Sequence, residues 1–155
     1  MRAVVQRTAR AAVRVEGSTV GHIGAGLLVL LSVGADDGDA VAVRLAGRVA
    51  TLRIFPDDAG RMNRDLTQAA GAVLVVSQFT LHADTSRGHR PSFIHAGAAR
   101  EAERLYGVFV AALRDLGLQV QTGQFGTHME VELVNDGPVT LVLSSGEDAW
   151  KADAG

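Results

Sequence analysis

Gly24-Ala-Gly-Leu-Leu-Val-Leu-Leu-Ser-Val33 is the stretch on which the reading of the fold turns. Glycines turn the chain into Leu27–Val33, a run of strand length with no polar alternation, so both of its faces are expected to be buried and the strand to be central. Upstream, Val4–Gln6 and Val13–Val15 read as two short strands, and Val20–Ile23 follows the Glu16-Gly17-Ser18 turn in a hairpin-like opening. Downstream, Asp36–Asp39 offers N-cap residues for a helix whose Val41, Leu45, Val49 and Leu52 share one face and which ends near Arg53. Ile54-Phe55 then leads into the Pro56–Gly60 turn, and Ala72–Ser77 is a second buried strand.

The strongest helical pattern places Ala102, Leu105, Tyr106, Phe109, Val110 and Leu113 on one stripe, with Gly117 just past its end. Tyr106 and Phe109 are core residues on this reading. Val120–Thr122, Met129–Val134 and Val139–Leu143 follow as three strands, the middle one alternating so that Glu130 and Glu132 face solvent. Between the second buried strand and the long helix, residues 82–93 form a polar loop with two Arg and two His, long enough to suggest a functional role. Residues 1–145 read as one domain, and the aperiodic Gly146–Gly155 segment as a loose tail.

With 155 residues, 47% of them apolar, and no cysteine, the chain can close a core without disulfides, and thiol catalysis and zinc ribbons are excluded. Net charge is −2, which rules out gripping long nucleic acid by charge alone. The charge is uneven, however: residues 1–114 hold 14 Arg against 10 acidic residues, leaving room for a local basic surface. The bias toward Arg over Lys reads mainly as composition. No apolar run is long enough to span a bilayer, and the Arg-rich opening fits strands better than a transit peptide, so the cytoplasm is the expected location.

HExxH, GxSxG and P-loop patterns are missing, and Gly24-Ala-Gly26 lacks the third glycine of a dinucleotide fingerprint. The five histidines are scattered without carboxylate partners at fixed spacing, so neither metal nor cofactor is expected. Two polar interruptions of apolar strands remain. Ser77-Gln-Phe-Thr-Leu81 is either a Ser/Thr turn with Phe79 in the core or a set of donors that orients an ester and its developing oxyanion. Asn135-Asp-Gly-Pro-Val-Thr140 is either an ordinary hairpin turn or a site where a Gly-Pro pair turns main-chain carbonyls out of the fold as a steric gauge.

Taken together, these two segments resemble the signature motifs of the D-aminoacyl-tRNA deacylase family. Colinear landmarks extend the resemblance from residue 1 to about 144: Met1–Arg7, Leu52–Phe55, Met62-Asn63, Gly88–Phe93, Leu105-Tyr106, Gly123–Gly126 and Met129. Arg61 and Thr127-His128 depart from the family pattern. The resemblance implies an α/β homodimer with a mixed, largely antiparallel, barrel-like sheet and two main helices packed on it. It implies hydrolysis of the ester joining a D-amino acid, or glycine, to the 3′ end of tRNA, with Gly137-Pro138 cis and reaching into the partner's pocket to exclude L side chains.

An aminoacyl ester is already activated, and a neighbouring ribose hydroxyl can assist water, so no side-chain base is demanded. Thr80 and the main-chain N–H groups near Phe79 and Thr80 are then expected to position the ester, with Ser77 and Gln78 ordering the pocket. Arg7 is a candidate brace for the Gly-Pro loop, Met129 a pocket-lining residue, and Arg87 and Arg90 candidate tRNA phosphate contacts. DNA and membranes are not expected partners. The alternative is a non-catalytic dimeric module that captures a small amino acid or adenosine.

Overall fold

The computed structural model describes residues Met1–Ser145; the expected tail, 146–155, lies outside the described residues. Among the described residues, eight strands and two α-helices follow in the order β1 (Arg2–Val15), β2 (Ser18–Ile23), β3 (Gly26–Ser32), α1 (Asp39–Thr51), β4 (Phe55–Pro56), β5 (Met62–Arg64), β6 (Ala72–Ser77), α2 (Ala99–Asp115), β7 (Gln119–Thr122) and β8 (Glu130–Ser144). A single 3₁₀ turn, Phe79–His82, follows β6.

β3 lies between β1, to which it is antiparallel, and β6, to which it is parallel, and β7 extends the sheet parallel to β6. Its burial on both faces has a simple cause. Leu27, Val29 and Leu31 belong with Val73 and Val75 to a core shared with both helices, whereas Leu28 joins Leu74 and Val76 in a second core with Val13 and Ile23. Alternate residues of one strand thus serve two apolar layers, and each large side chain so buried contributes about 1.5–3 kcal/mol. The sheet curls until β2 meets β7: a Cβ added to Gly21 would lie 2.6 Å from the Thr122 carbonyl oxygen. The result is a mixed, nearly closed barrel with α1 and α2 packed on one side.

Several local expectations change. The two short N-terminal strands are one continuous β1, and the segments on either side of Asn135–Thr140 belong to one β8 that pairs with β1 both before and after residues 136–139. The hairpin-turn reading of Asn135–Thr140 therefore fails, because the chain does not reverse there. Pairing passes from Thr8↔Asn135 to Gln6↔Thr140, so residues 136–139 stand opposite Arg7 alone and bulge out of the ladder. Helix α1 ends at Thr51, its N-cap is Gly38, and Asp39 pairs with Arg104 of α2 at 2.6 Å instead of capping. Asp37 turns back to accept the Gly34 N–H at 2.6 Å. Strand β5, which pairs with β4, was not expected.

Candidate functional site

β6 enters the site as a buried strand and ends at Ser77, after which the main chain peels away from the sheet. The Gln78 N–H still donates to the Leu31 carbonyl at 2.7 Å, and the chain then tightens into the 3₁₀ turn. Turn starts leave main-chain N–H groups without intrahelical acceptors. Among the described residues the Phe79 and Thr80 N–H groups have no protein acceptor, whereas the turn's carbonyls are held: Arg2 donates to Leu81 O at 2.7 Å and Ser32 to Phe79 O at 3.3 Å.

Beside this turn lies a cleft of about 350 Å³, walled by Leu31, Ser77, Gln78, Phe79, Tyr106 and Phe125. Tyr106 is a core residue, as its place on the α2 stripe indicates, but it also faces the cleft. Its hydroxyl donates to Val75 O at 2.8 Å, and burial raises its pKa to about 12, so it stays a neutral donor. Phe125 tilts against its ring at 5.9 Å. Phe79 is 58% exposed, so the reading that placed it in the core fails; its ring meets Phe93 edge-on at 5.1 Å.

Ser77, Gln78 and Phe79 are thus brought together at one cleft. Thr80 is exposed beside it, and its hydroxyl takes a hydrogen bond from the Gln78 side-chain amide. His82, the nearest imidazole in sequence, points its Nδ1 to Ser32 instead. Arg87 and Arg90 are exposed in the polar loop, whose Asp84 and Ser92 pair across its base. Met129 packs on the second core beside Gly123, not in the wall of this cleft.

Arg7, Gly137 and Pro138 form a second constellation, away from the walls of that cleft. The Gly137-Pro138 peptide is cis, and both residues are exposed at the crown of the β8 bulge. Arg7 Nε donates to Asp136 O at 2.9 Å and faces the Asp136 carboxylate at 3.2 Å, while its Nη1 donates to Ile54 O. Asn135 closes the neck of the bulge, its amide donating to Arg7 O at 3.0 Å and to Val139 O at 3.1 Å. A Cβ on Gly137 would lie 2.1 Å from Val139 N, so this backbone path has no room for a side chain. Sequence reading placed Asn135, Tyr106 and Phe125 in its motif, stripe and landmark stretches without giving them a role in the site, and it missed Ser32, the one hydroxyl in an otherwise apolar strand.

Among the described residues no three His, Cys, Asp or Glu side chains gather to hold a metal ion, and no helix is long and apolar enough to cross a membrane. Fold and cleft define a class: a small mixed-barrel protein whose cleft is walled by aromatic rings and the Ser77–Phe79 main chain, with no imidazole hydrogen-bonded to the Thr80 hydroxyl among the described residues. The family profile for D-Tyr-tRNA(Tyr) deacylase matches residues 4–144, and the chain belongs to that family. It is 57% identical over 145 residues to a D-aminoacyl-tRNA deacylase of Symbiobacterium thermophilum, covering 94% of this chain and 96% of the relative. Identity is also 57% over 143 residues to a D-aminoacyl-tRNA deacylase of Deinococcus radiodurans, with 92% and 99% covered. Among solved structures, a c-Myc DNA unwinding element binding protein superposes with a TM-score of 0.89 at 36% identity, covering 94% of this chain and 99% of that one. A probable eukaryotic D-amino acid tRNA deacylase shares the fold, with a TM-score of 0.80 at 18% identity and 92% and 97% covered.

Proposed function

We infer that the protein hydrolyses the ester of D-aminoacyl-tRNA, and of glycyl-tRNA, with the cleft beside Ser77–Thr80 as its reaction site. The observation that carries this reading is the coincidence of a family match over residues 4–144 with main-chain donors free of protein acceptors at the cleft lip. Water attacks the ester carbonyl, the bond to the ribose oxygen breaks, and the proton released by water goes to that oxygen, giving free D-amino acid and tRNA. The neighbouring ribose hydroxyl assists the water. The Phe79 and Thr80 N–H groups receive the charge that develops on the carbonyl oxygen, the step at which fixed donors contribute most. Ser77 and Gln78 order the lip, and the Thr80 hydroxyl positions the ester without acting as nucleophile, since no base adjoins it. No cofactor takes part.

Stereochemical choice is assigned to the partner subunit's bulge. In a homodimer the carbonyls around Gly137-Pro138 of one copy meet the cleft of the other and leave room for hydrogen, not a side chain, on the L side of the stereocentre. Arg7 and Asn135 keep that bulge rigid, while Met129 acts only indirectly, from the second core. The exposed apolar side chains Phe79 and Val142, 58% and 75% accessible, support the pairing of copies. Arg87 and Arg90 reach acceptor-end phosphates, so binding weakens with salt. A net charge of −2 supports transient tRNA contact in the cytoplasm and speaks against long DNA as a partner, and residues 1–145 act as one deacylase domain.

The test is deacylation of matched D- and L-aminoacyl-tRNA by purified protein with EDTA present. The D ester is expected to be lost well above the buffer rate and the L ester at the buffer rate. Tight binding of D-aminoacyl-tRNA without faster ester loss would instead identify a binding module.

A further inference from the structure

Two polar side chains sit behind the 3₁₀ turn, where the proposed hydrolysis does not use them. Ser32, at the end of β3, is 1% exposed, and His82, at the end of the turn, is 8% exposed. Ser32 Oγ lies 2.6 Å from His82 Nδ1 and 3.3 Å from Phe79 O. A hydroxyl has one proton to give. If it goes to Phe79 O, the short contact on its other side is a donation from His82 Nδ1–H. With the proton so assigned, Nδ1 carries the imidazole hydrogen and a directional relay runs from imidazole to hydroxyl to carbonyl.

The Phe79 carbonyl and the Thr80 N–H are the two ends of one peptide group. Hydrogen bonding at the oxygen withdraws electron density from the nitrogen and makes its N–H a better donor, the cooperative effect of linked hydrogen bonds in a low-dielectric setting. It also fixes the plane of the peptide and so the direction of that N–H. We propose that Ser32 and His82 are positioning residues that aim and polarise the Thr80 N–H through the Phe79 carbonyl. The proposal rests on the deacylase reading in one respect: the Thr80 N–H faces the developing oxyanion.

The test uses Ser32→Ala, His82→Leu and His82→Asn in the full chain, with thermal melts to confirm folding. An asparagine amide N–H can stand where His82 Nδ1–H stands, so His82→Asn retains the donor. Ser32→Ala and His82→Leu are expected to lower kcat about tenfold, less than loss of an oxyanion donor itself. KM should stay within about twofold, because the ground-state ester hardly uses this donor. His82→Asn should recover kcat to within about twofold of wild type. Unchanged kcat in His82→Leu, or His82→Asn as slow as His82→Leu, would overturn the proposal; should Ser32→Ala not fold, this contrast decides alone. An NMR readout separates this failure from failure of the deacylase reading. The Thr80 amide and Phe79 carbonyl resonances should shift in His82→Leu and return toward wild type in His82→Asn, whether or not the protein turns over tRNA. Resonances alike in the wild type and His82→Leu would contradict the relay directly.

Discussion

The Ser77–His82 turn and the Asp136–Val139 bulge are both departures from regular strands, yet they are supported from opposite directions. The turn leans on the interior: Leu31 and Ser32 hold its main chain from behind, Arg2 binds it from the exposed side, and a cleft lies beside it. The bulge leans on the surface ladder: Arg7 and Asn135 hold its neck, while Gly137 and Pro138 project outward. One is a recess and the other a projection, the complementary shapes that the proposed pairing of two copies calls for.

Substitutions at the two supports should therefore fail in different ways. The largest effect is expected from Arg7→Ala, which removes two contacts to Asp136 in the bulge and the tie from the bulge to Ile54 O. Misplacement of the gauge by about 1 Å should cost about a hundredfold in kcat/KM for the D ester. Gly137→Ala should blunt the distinction more than the rate, because a methyl group 2.1 Å from Val139 N forces the carbonyls to move. The D/L ratio of kcat/KM is expected to fall at least about tenfold. Asn135→Ala leaves two partly buried carbonyls without their donor and should lower unfolding free energy by about 1–3 kcal/mol, read by urea denaturation.

Thr80→Ala is the sharpening case: a loss of less than about tenfold fits a positioning hydroxyl, and complete inactivation would point to a nucleophile. The smallest effect concerns pH. Burial holds the His82 pKa below its usual value, with Arg2, the N-terminal amine and His95 adding to the depression and Asp37 opposing it. The unfolded chain then binds the proton first as pH falls below about 6.5, so stability declines there and levels off below the folded pKa. His82→Asn removes this component, and its Tm should fall less than that of the wild type between about pH 7.5 and about pH 5.5.

Much of this architecture is legible in the order of the residues. Leu27–Leu31 signals its place because only a strand with two buried faces can be apolar at every position, and the α2 stripe signals its face because all six apolar residues named for it are buried. The continuity of β1 and β8 was hidden, since a bulge is a property of paired strands, and Arg7-Thr8 or Gly137-Pro138 taken alone reads as a strand ending. The two signature segments were legible as interruptions. Their supports were not: Ser32 and His82 are fifty residues apart, and Asn135 reveals its two carbonyl partners only once β8 lies against β1.

The division of labour between recess and projection is tested most directly by mixing two damaged subunits. One carries Phe79→Pro, which removes a main-chain donor at the cleft, and the other Gly137→Ala in the bulge, each defective alone in D-selective hydrolysis. Co-refolded mixtures should regain fast, D-selective deacylation, because the bulge of the first subunit meets the intact cleft of the second. Activity no greater than the sum of the two parents would contradict the account.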